Sequence, residues 1–316
     1  MFLALLVSLT ILGCEPAKSL QNVVLWHEAG SVDAIRNDTT VMRKRLEWAR
    51  AKNVEIHVVG DSVRVSFRSS NDTMAWNKLL SAPGRFHSED IFPLKEVPDF
   101  RTWIQAYVER MQQMQGNLLV STSNIDSNRA ELGKYTSAGI QLSNLLMKEP
   151  ANSQVFLGKA TLAWSFFPER DDGRPIYTLF MIKEGSTARQ LRNEDLQRTY
   201  MQIPPLWERA FGARALEYLS SFYLKAWWRN ITENENFMIS LEMTPAGGQA
   251  FTDITEHRIN QSLPLMLDDQ VLMNPIVRDR IVGGKVSISG ASSEGETIFT
   301  IALLNGGQMQ LKWHSQ

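Results

Sequence analysis

The sequence predicts an α+β fold built from two small α/β-sandwich subdomains. One observation is a long amphipathic helical stretch near the start that runs directly into a pair of alternating strands. Another is the last part of the chain, where strand, helix, hairpin, strand and helix follow one another closely. The mixture of 43% hydrophobic and 21% charged residues over 316 positions is enough for one large core or two smaller ones.

Val23 to Trp26 reads as an opening strand. From Ser31 to Lys52, Ile35, Thr39, Met42, Leu46 and Ala49 recur at steps of three and four, with Arg36, Arg43, Lys44, Glu47 and Arg50 mostly off that stripe, which predicts a helix. Val54, Ile56 and Val58 then alternate with polar residues, and Val63, Val65 and Phe67 do so after a Gly60-Asp61 turn. That is a hairpin with one apolar face. A second helix is expected from Asn71 or Asp72, carrying Met74, Leu79 and Leu80 and ended by Pro83-Gly84. Phe86 to Phe92 then reads as a returning strand that would complete a split-βαβ sandwich.

Pro93 to Pro98 reads as a break, and the helical register of Trp103, Ile104, Tyr107, Val108 and Met111 predicts a helix from Phe100 to Gly116. Residues 117–152 are polar and weakly patterned. Two strand-like runs, Val155 to Phe167 and Pro175 to Ile182, flank a turn of charged composition. Glu208 to Arg229 reads as an aromatic-rich helix. Phe237 to Met243 alternates as a strand, Thr244 to Gln261 reads as a helix with Ala250, Phe251, Ile254 and Ile259, and Asp268-Asp269 joins two apolar runs as a hairpin. Lys285 to Ser289 is a further strand, and Ser292 or Ser293 caps a last helix that stops at Gly306-Gly307.

The N-terminus predicts the compartment. Phe2 to Leu12 is apolar or small, too short to span a bilayer, and followed by Gly13, Cys14 and polar residues, so residues 1–14 read as a signal peptide. A cysteine at that place resembles the bacterial lipoprotein signal, which implies lipidation of Cys14 and anchoring to an envelope membrane, with residues 15–22 as a tether. Glu15 in the position after it favours the outer membrane by the same resemblance. Cys14 is the single cysteine, so no intrachain disulfide forms and core packing alone must hold the fold. The 33 basic and 34 acidic residues leave a net charge of -1, which offers no general attraction for nucleic acid.

Gly283-Gly284 raises the question of a phosphate loop. Such a loop opens onto a helix, whereas this doublet leads into the strand Lys285 to Ser289. The expected role is steric: residues without a Cβ adopt positive φ and turn the chain into a sheet. The surrounding stretch, from Leu267 to Gly290 and on into a helix, resembles the head of the first periplasmic domain of the SecD/SecDF family. Asp269, Pro275, Ile281, Gly283, Gly284, Ile288, Ser289 and Gly290 stand at the motif positions, with Gln270 where the family prefers glycine. Ala34 to Phe67 is similar to the helix-hairpin unit of that domain's base. The resemblance implies a ferredoxin-like base over residues 23–93 and a head over residues 231–316. Residues 94–230 would be an insertion that partly returns to the base. No membrane bundle is expected.

Catalytic signals are weak. His27, His57, His87, His257 and His314 are far apart without the spacing of a helical metal site, no Gly-x-Ser-x-Gly elbow occurs, and Glu169 to Asp172 reads as a solvated turn. The expectation is a non-enzymatic envelope lipoprotein with no cofactor, metal or small-molecule substrate. By resemblance it binds an unfolded polypeptide or a protein partner, with a possible link to protein export. The competing expectation is a structural lipoprotein with one dedicated partner unrelated to export, to which the Trp227-Trp228 pair would contribute.

Overall fold

The computed structural model describes residues 19–27, 30–70, 75–92, 106, 109, 119–121, 131–141, 160–171, 174–183, 190–202, 237–291 and 293–315. The helices expected at Phe100–Gly116 and Glu208–Arg229, the Trp227-Trp228 pair and Cys14 lie outside these residues, apart from the two isolated positions 106 and 109.

The first sheet contains β1 (Ser19–His27), β2 (Lys52–Val59), β3 (Ser62–Ser69) and β15 (Trp313–Ser315), in the order β15-β1-β3-β2 with every neighbouring pair antiparallel. Helix α1 (Val32–Trp48) crosses over between β1 and β2, capped by the Ser31 hydroxyl, which accepts from the Ala34 N–H at 3.2 Å. The hairpin buries Val63, Val65 and Phe67, and α1 buries Val41, Met42 and Leu46 against it. Helix α4 (Glu294–Gly306) packs beside α1 and leads into β15. This is the split-βαβ order, with its second helix and fourth strand supplied by the far end of the chain.

That differs from the sequence expectation at Phe86 to Phe92. Only Phe86–Ser88 forms a strand, β4, and it pairs with β12 (Leu265–Leu267) in another sheet. Ser19 to Asn22, within the stretch that reads as a tether, is strand, because it pairs along β3 from Ser69 to Ser66. The second helix, α2 (Trp76–Ser81), begins after Ala75 without a side-chain cap and buries Leu79 and Leu80.

A second sheet has the order β10-β11-β14, from β10 (Leu196–Gln202), β11 (Phe237–Met243) and β14 (Lys285–Ala291). The Asn305 carboxamide of α4 accepts from the Thr199 N–H and donates to the Thr199 carbonyl, both at 2.7 Å, and so occupies the outer edge of β10 at that residue. Helix α3 (Pro245–Glu256) starts at the Thr244 cap and ends before Ile259, which is exposed beyond it.

The third sheet runs β4-β12-β13-β7-β9-β6-β5, through β13 (Gln270–Met273), β7 (Ala160–Ser165), β9 (Arg174–Lys183), β6 (Glu131–Thr136) and β5 (Leu119–Ser121). A short β8 (Glu169–Asp171) pairs with the start of β9, so the charged segment expected to be a turn contributes backbone pairing.

Two charged residues of α1 tie these parts together. Asp38, fully buried, accepts from the Gln310 N–H at 2.8 Å, the Leu311 N–H at 2.9 Å and Trp313 Nε1 at 2.9 Å, which fixes the segment that becomes β15. Arg45, also fully buried, donates from Nη1 to the carbonyls of Leu79 (2.9 Å) and Ala82 (2.6 Å), and from Nη2 to those of Pro83 and Gly307 (both 2.9 Å). These carbonyls lie at or just past the C-terminal ends of α2 and α4, where backbone acceptors lack intrahelical donors. Burial lowers the Arg45 pKa to about 10, with the Asp268 and Asp38 carboxylates opposing that shift, so the side chain stays charged at neutral pH. Gly84 and Gly306 leave it room: a Cβ would lie 2.2 Å from Arg45 Nη2 at the first and 2.3 Å from Arg45 Cγ at the second.

Replacing Arg45 by Met strands buried carbonyls at both helix ends. The unfolding free energy from urea titration is expected to fall by roughly 3 kcal/mol or more, and an unchanged midpoint would remove Arg45 from this role.

Candidate functional site

The site begins with the glycine bend. Before it, the backbone of Ile281 is held by α3: its N–H donates to Thr255 Oγ1 at 3.0 Å and its carbonyl accepts from Thr252 Oγ1 at 2.9 Å. Gly283 and Gly284 then have φ of 95° and 62°, a region that L side chains rarely adopt, and β14 follows at once. Gly284 also lies close to α3, where a Cβ would approach Gly248 Cα to 2.8 Å, while a Cβ at Gly283 would meet nothing within 4 Å. The bend therefore meets helix α3 backbone to backbone.

The other motif positions lie along the same path. Asp269 is exposed and pairs with Arg85 at 3.1 Å, but its neighbour Asp268 makes the tighter link, accepting from the Arg85 N–H and donating its own N–H to the Arg85 carbonyl, both at 2.8 Å. The Pro275 carbonyl accepts from the Leu263 N–H at 3.0 Å. Ile288 is buried in the core, and Ser289 is exposed on β14. Gly290, with φ of 126°, lies against Phe167: a Cβ there would stand 3.3 Å from the ring.

Phe167 opens onto a cleft of about 360 Å³ between α2, the turn after β7, β9 and the first turn of α4. Its apolar surface comes from Phe166, Phe167, Tyr177 and Phe299. Phe166 meets Phe167 edge-on at 5.0 Å between ring centroids and lies 6.5 Å from Phe299. The turn is pinned to β13 by the Phe166 N–H, which donates to the Val271 carbonyl at 2.8 Å. Lys78, exposed on α2, places Nζ 5.6 Å from the Phe166 ring centroid and 5.9 Å from that of Phe299. A concave aromatic surface with a cation at its rim can bury an apolar side chain of a chain laid across it.

Sequence reasoning did not find this cleft. Phe166-Phe167 before Pro168 was legible as the end of a strand, and a tandem aromatic pair at a turn was the available signal. Nothing in the sequence places Lys78 or Phe299 beside it.

A second polar cluster lies on β4 and the chain after it. His87 Nε2 is 3.3 Å from Glu89 Oε1, Gln190 Nε2 donates to Glu89 Oε2 at 2.7 Å, and Arg258 pairs with Asp90. Burial lowers the His87 pKa, with Arg85 adding to the effect, and burial raises that of Glu89 against the pull of Arg85, Arg258 and Gln190. The remaining histidines are dispersed. His27 meets the Trp313 ring edge-on, His314 stacks on Trp26, His57 is exposed near Glu55, and His257 Nδ1 lies 2.7 Å from the Asp253 carbonyl. Among the described residues, no group of three or more His, Cys, Asp or Glu side chains is placed to hold a metal ion.

Two outcomes follow from this geometry. Gly284→Ala combines a left-handed backbone with a backbone collision, whereas Gly283→Ala meets only the first. Thermal melts should show a clearly larger loss for Gly284→Ala, against about 1 kcal/mol for Gly283→Ala. Glu89, whose native pKa is raised, contributes stability that is present below pH 4.5 and lost as pH rises through its native value. The urea midpoint of Glu89→Gln relative to the parent should therefore increase between pH 4 and pH 7, and a pH-independent difference would contradict the burial of this carboxylate.

The sequence model of the SecDF P1 head subdomain matches residues 220–311. The protein translocase subunit SecD of Calditerrivibrio nitroreducens is 34% identical over 71 residues, covering 22% of this chain and 14% of that protein. The translocase subunit SecDF of Thermus thermophilus is also 34% identical over 71 residues, covering 22% of this chain and 10% of that protein. The crystal structure of SecDF in a super-membrane-facing form shares the fold with a TM-score of 0.50 at 15% identity, over 95% of this chain and 30% of that one. The chain thus spans a small part of the length of the relatives it matches. Among the described residues no helix is long and apolar enough to cross a membrane. Residues 220–311 thus resemble the SecDF P1 head subdomain, and the chain shares its fold with a solved SecDF structure.

Proposed function

We propose that this chain is a non-catalytic, envelope-facing module that binds extended polypeptide in support of protein export, anchored by a lipid on Cys14. The observation that carries the reading is the aromatic cleft set against Gly290 of the head motif, where Phe166, Phe167 and Phe299 converge. Burial of apolar side chains in such a cleft binds many sequences, as a module that meets unfolded clients requires. The SecD relatives are translocase subunits, which supports export as the setting. The head resemblance supports a periplasm-facing position, and the run ending in Gly13-Cys14 supports the lipid anchor.

A photo-crosslinking residue placed at Lys78 in living cells tests this reading, with exposed Lys52 on β2 as the control position. Position 78 is expected to crosslink a range of newly exported chains, and position 52 is not. Crosslinks to a single protein from position 78 would instead favour the structural lipoprotein with a dedicated partner. Cys14→Ser in the same strain should release the protein from the membrane fraction, and unchanged fractionation would overturn the anchor.

A further inference from the structure

We propose that the cleft selects extended segments in which a large apolar or aromatic side chain is followed two residues later by a carboxylate, with Lys78 reading the acid. This rests on the polypeptide-binding reading above. Lys78 has its Nζ over two ring faces, 5.6 Å and 5.9 Å from their centroids, and makes no ion pair among the described residues. Of the acids in the first turn of α4, Glu294 pairs with Arg50 at 3.2 Å and does not line the cleft, and Glu296, which does, has an interaction partner. The rim therefore offers a cation to an incoming ligand, while the floor offers aromatic surface.

The spacing follows from strand geometry. In an extended chain successive side chains point to opposite faces, and those two apart share a face at about 6.6 Å. That is within about 1 Å of the distances from the Lys78 ammonium to the two rings, so an apolar side chain on the rings brings a carboxylate two residues on within reach of Lys78. An acid directly adjacent to the apolar residue would point away from Lys78.

The test uses fluorescein-labelled twelve-residue peptides that differ only in a central Phe-Ser-Asp, Phe-Asp-Ser or Phe-Ser-Lys, titrated with the full chain and read by fluorescence anisotropy. Phe-Ser-Asp is expected to bind about three- to fivefold more tightly than Phe-Ser-Lys, with Phe-Asp-Ser between them, and the gap should narrow as salt is raised. Lys78→Gln should close the gap and Lys78→Glu invert it, with melting temperatures unchanged because Lys78 is exposed. Phe166→Ala, at a half-buried position, should weaken all three peptides. Equal affinities in the parent, with Phe166→Ala still weakening binding, would overturn the charge selection and leave the cleft standing. Absence of binding by every peptide, or indifference to Phe166→Ala, would overturn the cleft itself.

Discussion

The architecture turns on two charges buried in one helix. Arg45 and Asp38 lie on the inner face of α1, each fully buried, and every partner they hold by hydrogen bond beyond α1 is a group brought in from a distant part of the chain. An ion taken out of water is stable only where its hydrogen-bonding capacity is met by fixed groups. The helix ends supply four carbonyl acceptors to the two Nη atoms of Arg45, and the backbone before β15 together with the Trp313 indole serves Asp38. The base sheet is closed because Asp38 holds the chain that enters its fourth strand.

The same constraint shapes the cleft. Its walls include α2 and the first turn of α4, two helices whose C-terminal ends converge on the Arg45 guanidinium. Glycines at positions 84 and 306 leave space for that side chain, and Gly290 lets β14 run against Phe167. The cleft thus forms where α2 and α4 of the split-βαβ unit meet the third sheet, and its aromatic residues come from two stretches, 166–177 and Phe299, more than a hundred positions apart in sequence. A site formed at such a junction holds its shape only as long as both sides stay docked.

How far the fold was legible depended on element length and pattern. Helix α1, the β2-β3 hairpin, the strand β11 and the capped helix α4 all carry strong periodicity and turn or cap residues, and each formed close to its expected place. The strand β15 has three residues and no alternation to read, β4 is equally short, and β10 is a largely polar run whose edge is completed by Asn305. Short strands are chosen by their partners and not by their own composition. For that reason the pattern of Phe86 to Phe92 suggests a strand of the base sheet, whereas its first residues pair with β12.

By itself the sequence determined the α+β class, the sharp bend at Gly283-Gly284 and the resemblance of the head, since these rest on local periodicity and on residues without a side chain. Only the tertiary structure decided which strand closes the base, why an arginine and an aspartate are buried in α1, and that Lys78, Phe166 and Phe299 share a cleft. Those outcomes depend on pairings such as Arg45 with Gly307, 262 residues apart, and no local pattern encodes a partner at that separation.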